Sequence, residues 1–202
     1  MNIRFTNLFG SILLLFSAWQ SCSGQEIEVK ALLPKVIIIK AAGLEKGEEP
    51  EGVDAITQAT SEGRNVHVVT QALQDSLTQT GIECRIIRFN ELDKLEALTK
   101  DTTSKIIIFA GPAYSSQFPR QLKGAVPKLQ DYLLNREILC TSLTTCRFLE
   151  SGGKTVRSFN KELEDLGIRT MEGLVIHHEY EDKDWEAKVA DFAQRIQKAI
   201  TM

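Results

Sequence analysis

Lys105-Ile106-Ile107-Ile108-Phe109-Ala110 is a β-branched apolar run that passes directly into Gly111-Pro112-Ala113-Tyr114-Ser115-Ser116-Gln117-Phe118-Pro119. An uninterrupted run of this kind suits a strand covered on both faces, because a half-solvated strand alternates apolar with polar side chains. The Gly-Pro segment after it reads as a turn-rich loop at the strand's carboxyl end. Outward from this stretch the same pattern recurs at Val36 to Ile39, Ile82 to Phe89, Glu137 to Thr141 and Thr170 to His177. Between these runs the apolar residues keep helical spacing. Val66, Val69, Thr70, Leu73 and Leu77 stop at Gly81; Val126, Leu129, Tyr132 and Leu133 stop at Asn135; Val156, Phe159, Leu163 and Leu166 stop at Gly167. A last helix from Trp185 to Ile200 turns Trp185, Val189, Phe192, Ile196 and Ile200 to one side. Strand followed by helix, repeated with right-handed crossovers, predicts a doubly wound α/β/α sandwich around a five-stranded parallel sheet.

The chain has 202 residues, 43% of them hydrophobic and 25% charged, enough for one ordinary globular core and incompatible with a disordered chain. Lys and Arg number 24 against 27 Asp and Glu, a net charge of −3 that argues against a nucleic-acid partner. Four cysteines, without CxxC or Cys/His spacing, suit neither a disulfide scaffold nor a zinc site.

Residues 1–24 form a separate segment. Arg4 precedes an apolar run from Leu8 to Trp19, and Ser21, Cys22, Ser23 and Gly24 follow. This is the layout of a secretory signal, and the run is shorter than the ~20 residues that a spanning helix needs. Ser21-Cys22 resembles the lipidation site of bacterial lipoproteins, with Trp19 where an aliphatic residue is usual. The expectation is an exported protein, periplasmic or membrane-anchored through a lipid on Cys22, with cleavage after Gly24 as the competing outcome. The membrane would be met only through that anchor. Residues 25–202 contain no linker or repeat and read as one domain.

In open sheets of this class a ligand sits beyond the carboxyl ends of the strands, where strand order reverses. The loops there are Gly111 to Pro119, Thr141-Ser142-Leu143-Thr144-Thr145-Cys146, and Ser151-Gly152-Gly153-Lys154. Backbone amides, small hydroxyls and an aromatic side chain suit a flat, polar-edged ring.

The strand order, the helix lengths, and Gly111 to Tyr114 followed by Pro119 and the helix start at Leu122-Lys123 resemble the flavodoxin-like family of FMN proteins. The resemblance runs from about Val36 to Ile200. In that family the loop after the third strand commonly reads Gly-x-Pro-x-Tyr and packs on the isoalloxazine; Gly111-Pro112-Ala113-Tyr114 is one residue tighter. The resemblance implies FMN as cofactor, with Gly111, Pro112, Ala113, Tyr114, Thr144 and Thr145 at its ring. The family's phosphate loop follows the first strand and ends at a helix start, whose free N–H groups hold the phosphate. Here Lys40-Ala41-Ala42-Gly43 is followed by an acidic stretch with Glu45, Glu48, Glu49, Glu51 and Asp54, and then by Ser61-Glu62-Gly63-Arg64-Asn65 entering a helix. Either Gly43 or Ser61, Gly63, Arg64 and Asn65 would line the phosphate pocket.

Other groups carry weaker signals. His177-His178 beside Glu179 reads as a solvated strand end, since adjacent strand residues face opposite ways. Cys84 reads as core, whereas Cys140 and Cys146 are close enough in sequence to leave a disulfide open. Glu179, Glu181, Asp182 and Asp184 suit the start of the last helix. No Gly-x-Ser-x-Gly elbow appears. The resemblance therefore leaves three functions: an electron carrier serving a redox partner protein or a small acceptor, an NAD(P)H-dependent flavin or quinone reductase, and a binding or structural module without the cofactor.

Overall fold

A computed structural model describes residues 36–41, 54–89, 91, 94, 97, 100, 103–113, 116–177 and 183–202, without the side chains of 54–64 and 121. The chain divides into two units, Met1–Leu32 and Leu33–Met202, and every described residue belongs to the second. Cys22, Gly43, Glu45 to Glu51, Tyr114 and His178 to Asp182 lie outside the described residues.

Five strands are β1 (Val36–Lys40), β2 (Cys84–Arg88), β3 (Ile106–Pro112), β4 (Leu139–Cys146) and β5 (Leu174–His177). Among the described residues four helices have defined bounds: α1 (Asp54–Gln79), α2 (Arg120–Asn135), α3 (Leu149–Asp165) and α4 (Trp185–Thr201), the last of which follows β5. All strand pairs are parallel, in the order β2-β1-β3-β4-β5, so the order reverses between β1 and β3.

The register assigns each residue to a face. Ile37, Ile39, Ile107, Phe109 and Cys140 pack under α2 and α3, against Leu122, Leu129, Val156, Phe159 and Leu163. Val36, Ile38, Ile106, Ile108 and Leu143 pack under α1 and α4, against Val69, Leu73, Val189, Phe192 and Ile196. Both faces of the three central strands are buried, which is why Val36 to Ile39 of β1 and Ile106 to Ala110 of β3 are continuously apolar.

Gly81 and Gly167 end α1 and α3 in the left-handed region, at φ +78° and +80°. Ile82 N–H then donates to Leu77 O at 3.0 Å, and Ile168 N–H to Leu163 O at 3.0 Å. Both are glycine-stopped helix ends with an apolar residue folded back on the last turn.

The strand bounds differ from the sequence expectation at three places. β3 runs on through Gly111 and Pro112, which are strand rather than loop. The fourth strand, expected at Glu137 to Thr141, is Leu139–Cys146, so Thr141 to Cys146 are buried strand residues. Their hydroxyls make this possible. Thr141 Oγ1 donates to Met171 O and Glu172 O, both at 3.2 Å, Ser142 Oγ to Asn160 Oδ1 at 2.9 Å, and Thr144 Oγ1 to Gly111 O at 2.8 Å. A buried hydroxyl with a partner costs little, and β-branched Thr suits the strand backbone. The fifth strand is confined to Leu174–His177; upstream only Thr170 bridges to Cys140, and Gly173 passes so close to Ser142 O that a Cβ there would lie 2.3 Å from it.

Candidate functional site

The carboxyl edge at the reversal of strand order is built from the ends of β1, β3 and β4. β3 and β4 outrun β1: Lys40 pairs with Ala110, and the ladder continues through Gly111↔Thr144 to Pro112↔Thr145. Ala113 N–H donates to Thr145 O at 2.9 Å and Ala41 N–H to Ala110 O at 2.8 Å, which ties the loops after β1 and β3 to the neighbouring strand ends.

Gly111 is needed for packing. A Cβ at this position would lie 3.0 Å from Leu122 Cδ1 and 3.1 Å from Pro119 Cδ and Cγ, so the absent side chain makes room for the start of α2. Phe118 likewise belongs to the core rather than the strand-end surface. It is buried and stacks on Phe159 with ring centroids 4.6 Å apart, while Phe109 meets Phe159 edge-on at 5.4 Å. These contacts anchor the far end of the loop that contains Tyr114. Ser116, at φ 64°, is held there by Ser151 of α3, whose Oγ accepts from Ser116 N–H at 3.1 Å and lies 3.2 Å from its Oγ.

Thr144 and Thr145 are both buried, and they face opposite sides of the sheet. The Thr144 hydroxyl is bound to Gly111 O. The Thr145 hydroxyl has no hydrogen-bond partner among the described residues. Directly after β4, Phe148 and Leu149 stand 66% and 54% exposed, with the Arg147 guanidinium 5.8 Å from the Phe148 ring centre. The Arg147 carbonyl is met by His177 Nε2.

At the β1 end the arrangement departs from the expected loop. α1 begins at Asp54, so Ser61, Gly63, Arg64 and Asn65 lie inside a helix rather than in front of one. Their N–H groups belong to the intrahelical ladder and do not form a free cradle of amides. Asn65 is buried. The level of the strand end is marked by His67, whose Nδ1 lies 3.0 Å from Lys40 Nζ. Asp54 precedes His67 by thirteen residues, which puts the helix start about 20 Å away along the helix axis. The cation Lys40, 3% exposed, stands at the end of β1.

The sequence reading passes over Lys40, His67, Phe148 and Leu149. Lys40 carries a signal, a single charge closing a four-residue apolar run; Phe148 becomes notable only once its exposure is known.

Among the described residues the thiols are unbridged. Cys84, Cys140 and Cys146 are free cysteines. Cys140 and Cys146 sit six residues apart on one strand, about 20 Å at 3.3 Å per residue and far outside disulfide reach, so the disulfide left open from sequence spacing is excluded. Burial pushes the thiols of Cys84 and Cys140 up to about 12, which removes them as nucleophiles. Among the described residues no group of three or more His, Cys, Asp or Glu side chains is arranged to hold a metal ion.

No protein-family model matches the sequence, and a search of curated proteins finds no match. Solved structures do match. A flavodoxin of Streptococcus pneumoniae TIGR4 is similar at a TM-score of 0.56 and 14% identity, over 81% of this chain and 98% of that one. A Fusobacterium nucleatum flavodoxin bound to flavin mononucleotide is similar at 0.54 and 10% identity, again over 81% and 98%. The flavodiiron core of Flv1 from Synechocystis is similar at 0.57 and 17% identity, over 93% of this chain but 40% of that one, so this chain spans about two fifths of the flavodiiron protein. Together with the 2-1-3-4-5 order of five parallel strands, these likenesses establish that the chain has the flavodoxin-like fold.

Proposed function

We propose that this chain binds FMN at the carboxyl ends of β1, β3 and β4 and transfers electrons to a redox partner protein or a small acceptor. The observation that carries the reading is the edge between Gly111 and Phe148. At the carboxyl end of β4, beside the reversal of strand order, a buried threonine hydroxyl without a partner among the described residues is followed three residues later by an exposed aromatic ring. The aromatic ring suits the ring end of a flavin, and the hydroxyl suits its polar part. Phe148 covers a face of the ring, and Tyr114 is the second aromatic side chain offered for it. Lys40 offsets the phosphate charge in place of a helix N-terminus. Bound FMN supplies a ring able to take up and release electrons.

A second reading, a flavodoxin-like module without the cofactor, is favoured by one observation: α1 starts at Asp54 and leaves Ser61 to Asn65 in helix interior. The absorbance spectrum of the purified protein separates the two. A flavin spectrum that is released on denaturation supports FMN binding; a colourless protein that takes up no FMN supports the module. NAD(P)H oxidation with a quinone acceptor then distinguishes a reductase from a carrier.

We also propose export, with a lipid on Cys22. Mass spectrometry of the native protein tests this: a diacylglyceryl-modified Cys22 is expected, a start at Gln25 leaves secretion alone, and an intact Met1 overturns both.

A further inference from the structure

Four hydroxyl residues mark β4, in two pairs on either side of Leu143, and they are treated unequally. Thr141, Ser142 and Thr144 each donate to a named acceptor, at 2.8 to 3.2 Å. Thr145, 3% exposed and last in the β3–β4 ladder, has an Oγ1 with no partner among the described residues. Its register neighbours are Pro112 on one side and Ile176 on the other, neither of which has a side-chain group that could pair with it. A valine would fill the same space, suit the strand equally well and bury no polar atom. The hydroxyl therefore costs stability where it stands, and such a cost is characteristic of a group kept for a ligand.

The position narrows the ligand atom. Alternation along β4 turns Thr145 to the same face as Leu143, the face of α1, and alternation along β1 turns Lys40 to that face with Val36 and Ile38. In chain order Thr145 lies three residues before exposed Phe148. It thus sits on the Lys40 face of the sheet, while the loop that follows it carries the ring-facing aromatic. We infer that Thr145 Oγ1 hydrogen-bonds a hydroxyl of the ribityl chain, the part of FMN that joins ring to phosphate; this rests on the FMN reading above. A threonine hydroxyl can donate and accept at once, as an alcohol partner requires.

The test uses the exported form of the full chain, stripped of flavin, as wild type, Thr145→Val and Thr145→Ser. Thermal melts of the apo-proteins are paired with titrations of FMN, riboflavin and lumiflavin, the last having no ribityl chain. Thr145→Val should melt about 2 °C or more above wild type, because an unpaired buried hydroxyl has gone. It should bind FMN and riboflavin about tenfold more weakly and lumiflavin equally well, and Thr145→Ser should keep near-wild-type affinity. Equal binding of FMN by Thr145→Val and wild type would overturn the inference while leaving FMN binding intact. Equal weakening for lumiflavin would move the contact to the ring and overturn the ribityl assignment. A Thr145→Val apo-protein less stable than wild type would show that the hydroxyl serves the fold, and would also overturn it. Failure of wild type to bind FMN would remove both this inference and the reading beneath it.

Discussion

Gly111 and Thr144 show how single residues hold the strand-end edge together. A Cβ on Gly111 would press on Leu122 and Pro119, so Gly111→Val is expected to destabilise the fold by about 1–3 kcal/mol through overpacking. Urea unfolding measures the loss, and in a double-mutant cycle with Leu122→Ala the two losses should be less than additive; full additivity would mean that the glycine is needed for another reason. Thr144→Val removes the donor to Gly111 O and should cost about 1–3 kcal/mol, the opposite sign to that expected for its unpaired neighbour Thr145. The thiols give a third test. With pKa values of about 12, Cys84 and Cys140 are ionised to roughly one part in ten thousand at pH 8. Native protein should therefore resist alkylation at both sites, whereas the unfolded, unreduced protein should show Cys84, Cys140 and Cys146 all free. A rapidly alkylated Cys140 would contradict the buried β4.

At the scale of elements, β4 and α1 explain what the sequence conveys and what it hides. Runs such as Val36 to Ile39 and Lys105 to Ala110 are legible as central strands because burial on both faces leaves only one kind of side chain. Gly81 and Gly167 are legible as helix stops because the left-handed backbone there selects glycine. Thr141 to Cys146 read as loop, since composition does not reveal that each hydroxyl but one finds an acceptor from another element. The α1 start is hidden for a similar reason: Ser, Gly and Asn between 61 and 65 suggest a loop, yet the helix extends through them from Asp54. The consequence falls on Lys40. If it replaces the helix N-terminus as the counter-charge to phosphate, Lys40→Met should weaken FMN binding about tenfold or more and leave riboflavin binding nearly unchanged. Equal loss for both flavins would mean that the lysine supports the pocket only through its contact with His67.

For the whole molecule, the parallel sheet and both cores follow from the sequence pattern, the strand order comes only with the family resemblance, and the likeness to flavodoxins at 10–14% identity extends over about four fifths of the chain. What the pattern leaves to chemistry is whether the strand-end edge retains its ligand. Phe148, largely solvent-exposed, separates fold from site: Phe148→Ser should leave the melting temperature within a degree or two and weaken FMN binding roughly tenfold through lost ring contact, and Tyr114→Ala should weaken binding by a similar factor. The most direct measurement is titration of FMN into the apo-protein, followed by quenching of flavin fluorescence. Saturable one-to-one binding at micromolar or lower concentration is the predicted result; no binding at that concentration would leave the flavodoxin-like fold standing and contradict its proposed function.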